Sequence, residues 1–122
     1  MSIPVELGEL AEQIAKYGRL AYLITVSESG LPHAVSVGVT WDEDTLVAGA
    51  GRRTAENVAH RPDVTLLWPA PSQQPYCLIT DGRASARLDA ETLAIQPVRA
   101  VLHRVAEADP EVPSCVTVLD HR

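Results

Sequence analysis

Phenylalanine is missing from this chain, and aromatic residues make up only 4% of its 122 positions. Its core must therefore be assembled from Val, Leu, Ile and Ala, which carry most of its 46% apolar content. Cysteine is nearly absent as well. Cys77 and Cys115 show no metal-type spacing and make no disulfide framework, so a reducing compartment is expected. No apolar run nears the roughly 20 residues that a membrane-spanning helix needs. The N-terminus has no basic-then-apolar leader pattern. The expectation is a cytoplasmic protein without a membrane partner.

Net positive charge is lacking too. The 16 acidic residues outnumber the 10 basic ones and leave −6 at pH 7, which argues against a general nucleic-acid-binding role. His60, His103 and His121 have no ligand spacing among themselves, so no metal is expected. Ser27, Ser36 and Ser85 lack the glycine-flanked elbow of a hydrolase nucleophile. What remains is an acidic chain with local basic clusters at Arg52, Arg53 and Arg61 and at Arg83 and Arg87. That distribution suits a small anionic ligand better than a polymer.

The length suits one domain over residues 1–122. Leu7, Leu10, Ala11, Ile14 and Ala15 predict an amphipathic helix over Val5–Tyr17, closed by Gly18. A strand is predicted over Leu20–Ser27, then a turn around Gly30. In His33–Trp41, Val35, Val37, Val39 and Trp41 alternate with small or polar residues, the period of a half-buried strand. Asp42-Glu43-Asp44 makes the next hairpin turn, before a strand at Thr45–Ala48. Val64–Trp68 and Tyr76–Leu88 are further strands, separated by the proline-rich loop Pro69–Pro75, with Gly82 marking a bulge or close approach. Asp89-Ala90-Glu91 can turn the chain. Thr92–Val105 reads as a strand rather than a helix, with Pro97 at an edge or bulge. Residues 106–122 form a tail, with a short strand at Cys115–Leu119. About six strands, mostly hairpin-linked, and two helices, one N-terminal and one short between strands, make a mainly β fold. A small antiparallel barrel is its natural closure.

The centre of the pattern is Gly49-Ala50-Gly51-Arg52-Arg53-Thr54. Glycine on both sides of Ala50 lets a bulky group approach the backbone. Ala55, Val58 and Ala59 then give a short helix its apolar stripe, and Pro62 stops it. A helix N-terminus carries unpaired N–H groups and a partial positive charge. Two guanidinium groups and a hydroxyl there fit a phosphate site. The same residues also fit a solvated arginine pair ahead of a surface helix.

Taken in order, Gly30-Leu31-Pro32, the alternating strand, the acidic turn, Arg53-Thr54-Ala55-x-Asn57, Arg61-Pro62-x-Val64 and Asp81-Gly82-Arg83-Ala84 resemble the pyridoxamine 5′-phosphate oxidase-like flavin-binding split barrels. The resemblance spans roughly residues 18–104. It implies a six-stranded antiparallel split β-barrel, usually a homodimer, with FMN in a groove at the subunit interface. In some relatives a deazaflavin replaces FMN. By position, Arg53 and Thr54 would hold the cofactor phosphate, Arg52 would assist, and Ala50 and Gly51 would line the turn. His33, Val35, Ser36 and Val37 would run beside the ribityl chain and ring. Tyr76 and Cys77 would touch the cofactor across the interface.

The departures narrow the expectation. Thr54 stands where many relatives have Lys, and the basic residue that true pyridoxamine phosphate oxidases place near Gly38 is absent. Arg99 and Arg104 do not reproduce the C-terminal motif of true pyridoxamine phosphate oxidases. A deazaflavin's longer anionic tail requires Arg52, Arg53, Arg83 and Arg87 to converge. The implied function is a flavin-dependent oxidoreductase acting on a small organic substrate. A deazaflavin-dependent reductase, a flavin carrier without turnover, or an interaction domain that has lost the cofactor are the alternatives. Missing acid/base machinery fits a flavin protein, because the cofactor performs the hydride chemistry.

Overall fold

In a computed structural model of the chain, which describes residues 2–87 and 91–105, the strands form one antiparallel sheet that closes on itself. The order is β1 (Ser2–Val5), a 3-10 turn (Leu7–Glu9), α1 (Leu10–Tyr17), β2 (Leu20–Val26), β3 (Pro32–Asp42), β4 (Thr45–Gly49), α2 (Arg52–His60), β5 (Asp63–Trp68), β6 (Cys77–Ala86) and β7 (Thr92–His103). Neighbours run β7-β4-β3-β2-β5-β6, and β6 pairs back onto β7, so these six strands make a closed barrel. β1 is an extra strand. It pairs with Ala100–His103 of β7, on the edge that β4 occupies lower down at residues 92–95.

The interior is aliphatic, as the missing phenylalanine requires. Leu23, Val37, Val39, Leu46, Leu66, Leu78, Leu93 and Ile95 are buried inside, and Trp68 is the largest fully buried side chain among the described residues. Each such side chain contributes about 1.5–3 kcal/mol of burial. The Trp68 indole N–H donates to the Gly18 carbonyl at 3.0 Å, so its polar edge is satisfied.

The N-terminal expectation needs correction. The helix begins at Leu10, and Ser2–Val5 are a strand. Val5 is buried because it pairs with Ala100 of β7, while Gly8 weakens helix formation just after it. From Leu10 onward the expected face holds: Leu10 and Ile14 are buried, and Gly18 ends the helix at φ 94°, its N–H bonded to Ile14 O.

The long β6–β7 ribbon is strand throughout, and its register shifts between Asp81 and Gly82. Arg99 faces Asp81 and Pro97 faces Gly82, which leaves Val98 as the unpaired bulge residue. A Cβ on Gly82 would sit 2.7 Å from the Gln96 carbonyl oxygen, so only glycine fits there. Pro97, lacking an N–H, costs the ladder nothing at this point. The expected turn at Asp89-Ala90 and the expected strand at Cys115–Leu119 lie outside the described residues. Among those described, no helix is long and apolar enough to cross a membrane.

Candidate functional site

Helix α2 is fixed to the barrel along its inner face and at its C-terminal end. On its inner face Asn57 donates through Nδ2 to the Thr25 hydroxyl at 2.9 Å, a buried link to β2. At its C-terminal end Arg61 donates to the carbonyls of Ser27 (2.8 Å) and Glu28 (3.1 Å), which draws the β2–β3 turn against the helix. The N-terminal end is left open. Gly51 is the N-cap in an extended conformation, no side chain caps the first turn, and no acidic residue lies in it. Its leading N–H groups therefore keep their affinity for an anion.

This open end faces an unpaired stretch of β3. Residues Val39–Asp42 pair with β4, but residues 32–38 pair with β2 alone. The free edge of that stretch presents backbone N–H and C=O groups that need partners. Between it and α2 runs a groove of about 490 Å³. His33, Val35, Ser36, Val37, Gly51, Arg52, Arg53 and Thr54 all line it, so eight of the sequence-predicted residues converge. Gly38 and Gly49 complete the walls, and nothing stands within 4 Å of where a Cβ on Gly49 or Gly51 would lie. Thr54 is only 3% exposed and shows little of itself to the groove.

The other three predicted residues sit elsewhere in the chain. Ala50 lines an adjoining hollow of about 410 Å³ with Arg52, Arg87 and Glu91. Cys77 opens β6, Tyr76 directly precedes it, and neither lines the groove. The Tyr76 carbonyl accepts from the Tyr17 hydroxyl at 2.8 Å, and the Arg104 guanidinium lies 5.9 Å from the Tyr76 ring. Burial raises the Tyr17 phenol above its ordinary pKa of 10.0; a hydrogen bond with Gln74 opposes this and the Cys77 thiol adds to it.

Charge separates the groove arginines from the rest. Arg83 pairs with Asp63 at 3.2 Å, Arg87 with Asp42 at 3.7 Å and Arg99 with Asp81 at 3.5 Å. Arg52 and Arg53 have no ion-pair partner among the described residues. A continuous track of Arg52, Arg53, Arg83 and Arg87 is not built: Arg83 is held outside the groove, and Arg87 reaches only the adjoining hollow.

Sequence reasoning missed Arg19. A Cβ on Gly38 would stand 3.3 Å from its Nη2, so its guanidinium lies over the Gly38 end of the groove. The basic group missing near Gly38 in sequence thus arrives from the strand alongside. The pairing Leu20↔Gly38, together with the Val39 N–H bond to Arg19 O at 2.8 Å, places it there. Only the β2–β3 register reveals this neighbour.

At the far end, His33 Nδ1 is buried without a hydrogen-bond partner. His33 and Arg53 also line a second hollow, of about 810 Å³, that continues past them toward Asn57 and His60.

Comparison with known proteins agrees with this architecture. Residues 7–119 match the family model described as pyridoxamine 5′-phosphate oxidase. The Mycobacterium bovis protein Mb0449c is 38% identical over 125 aligned residues, covering 90% of this chain and 86% of that protein. An F420 reductase structure has a TM-score of 0.60 at 15% identity, covering 73% of this chain and 94% of its own. HutZ, the heme storage protein from Vibrio cholerae, has a TM-score of 0.61 at 14% identity, covering 82% of this chain and 96% of its own. Those two structures share the fold. From the closed barrel, its extra strand and a family match over nearly the whole length, the chain belongs to the pyridoxamine 5′-phosphate oxidase family.

Proposed function

We propose that the chain binds FMN as a homodimer and works as a flavin-dependent oxidoreductase on a small organic substrate, without being a pyridoxamine phosphate oxidase. One observation carries this reading. Two guanidinium groups without carboxylate partners stand at an uncapped helix N-terminus, in a glycine-lined groove bordered by a free strand edge.

The residues fit the cofactor. Arg52 and Arg53 hold the phosphate with charge-assisted hydrogen bonds, and the first N–H groups of α2 complete its shell. Arg19 adds charge at the Gly38 end. The free edge of β3 from His33 to Val37 offers donors and acceptors to the ribityl chain and the ring. His33 Nδ1, otherwise orphaned, gains a partner there. FMN, when bound, supplies the hydride chemistry. The chain's own part is binding, orientation and the exclusion of water.

The homodimer has support in an exposed apolar face. Leu20 and Tyr22 on β2 are 73% and 47% exposed. Their cross-strand partners are Gly38 and Ser36, which line the groove. A second copy docked there would cover the cofactor, and Tyr76 and Cys77 of each chain would serve the neighbouring site. A deazaflavin is the second reading. It is favoured by the room in the hollow of about 410 Å³ beyond Arg52, where a longer tail would meet Arg87 already paired with Asp42.

Absorbance and mass spectrometry of the purified protein test the choice. One FMN per chain, with a flavin band, is the expected result. A colourless protein that takes up neither added FMN nor a deazaflavin overturns the cofactor reading. Reduction by a nicotinamide donor followed by reoxidation by substrate separates an enzyme from a carrier.

A further inference from the structure

The groove opens past Arg52 into the adjoining hollow of about 410 Å³. We infer that Glu91 guards this way out and sets cofactor specificity. It restricts the groove to a flavin that ends in a bare phosphomonoester and turns away one whose phosphate carries a further anionic group. The inference rests on the phosphate reading of the groove and favours FMN over an anion-tailed cofactor.

The sheet fixes where Glu91 stands. Gly49 pairs with Thr92 in the β4–β7 ladder. One step further on, the Ala50 N–H donates to the Glu91 carbonyl at 2.9 Å, and the Arg87 N–H donates to the Thr92 carbonyl at 3.0 Å. Main-chain bonds therefore hold Glu91 against the turn that precedes α2. Ala50, Gly51 and Arg52 line the hollow together with Arg87 and Glu91. Gly51 and Arg52 also line the groove, so a substituent on a phosphate held there would leave past them and meet Glu91.

Charge gives the direction of the selection. No carboxylate lines the groove, whereas the hollow has that of Glu91. Glu91 is exposed and has no ion-pair partner among the described residues. Arg87 lines the same hollow but pairs with Asp42 instead, at 3.7 Å. With Arg87 neutralised and Arg52 engaged by the phosphate, Glu91 is the uncompensated charge. A terminal phosphate stops short of it. A second anionic group must stand beside it, and like charges at an exposed site cost about as much as opposite charges gain. The other way out, past Arg53, is lined by Glu28 and Glu56 and gives an anionic tail no better route.

FAD is the probe, because it repeats FMN and adds a second phosphate and an adenosine beyond it. The full chain is titrated with FMN and with FAD by calorimetry, and the ratio of the two dissociation constants is read. Wild type is expected to favour FMN by about tenfold or more at about 0.15 M salt, and by less at about 1 M, where charge is screened and a purely steric filter would not respond. Glu91→Gln is expected to shrink the ratio about threefold and Glu91→Lys about tenfold, the scale of an exposed charge contact first removed and then reversed. Both variants keep the main-chain bond to Ala50 and are expected to melt as wild type does. FMN binding with the same ratio in wild type and Glu91→Lys overturns the inference and leaves the phosphate reading standing. Wild type that binds FAD as tightly as FMN, or FAD that binds neither wild type nor Glu91→Lys, overturns it too. Failure of FMN to bind at all overturns the phosphate reading, and this inference with it.

Discussion

Arg53→Ala removes one of three guanidinium groups gathered around the glycine-lined groove. A hydrogen bond to a charged group is worth about 1.5–3 kcal/mol. Arg53 is exposed, so water already satisfies part of its charge, and the lower end applies. We expect a loss of about 1.5 kcal/mol, or roughly tenfold in the Kd for FMN. Arg52→Ala and Arg19→Ala each remove a less central charge and should cost about 1 kcal/mol, roughly fivefold. The Arg52/Arg53 double variant should lose less than the sum, since both side chains serve one phosphate. Arg83→Ala is the control. Its guanidinium is held by Asp63 at 3.2 Å, outside the groove, and its removal should leave FMN affinity unchanged. The assay is a flavin-fluorescence titration at about 0.15 M salt, where the screening length is roughly 8 Å. Raising the salt to about 1 M, where it falls to roughly 3 Å, should narrow the gap between Arg53→Ala and wild type. If Arg53→Ala binds FMN as tightly as Arg83→Ala does, the phosphate assignment is refuted.

Three further outcomes follow from the same structure. Gly82→Ala would set a methyl 2.7 Å from the Gln96 carbonyl oxygen and 2.8 Å from Ile95 Cγ2; an overpacking cost of about 1–3 kcal/mol should lower the Tm by about 5–15 °C, and an unchanged melting curve would contradict the close approach. Leu20→Asp puts a charge on the exposed face of β2 and should shift the protein to a monomer in sedimentation without changing its circular dichroism; a persistent dimer would place the interface elsewhere. The Tyr17 phenol has its pKa raised by burial, so the native state prefers the protonated form; that stability is complete below pH ~10 and is lost as pH rises through the folded-state value. Denaturant titrations should therefore show wild-type stability falling more steeply above pH ~10 than that of Tyr17→Phe, and parallel curves would refute the coupling.

Much of this architecture was legible in the residues. Alternation in β3, the turn at Gly30 and the glycine-flanked start of α2 are local signals, and each has its expected geometry. The glycine at 82 and the proline at 97 both read as bulge residues, and the structure places them opposite one another. The misses share one cause. β1 is a strand only because residues about 100 positions away lie beside it, with Ser2 opposite His103. Arg19 reaches the groove only through the β2–β3 register. Tyr76 and Cys77, taken from the family pattern, are not in the groove of their own chain. Local pattern carries no information about such distant partners.

The double use of one edge of β7 bears on how the protein is made. Both β4 and β1 lie along that edge, and β6 takes the other, so three strands wait for the last one. During synthesis β1, β4 and β6 cannot complete their ladders until β7 has left the ribosome. The barrel stays open along the outer edge of β4 until then. Pairing across so long a stretch of chain belongs with the slower folding topologies, in milliseconds to seconds. Truncation within the final four residues of β7 would release the N-terminal strand as well, since Ser2–Val5 have their register there.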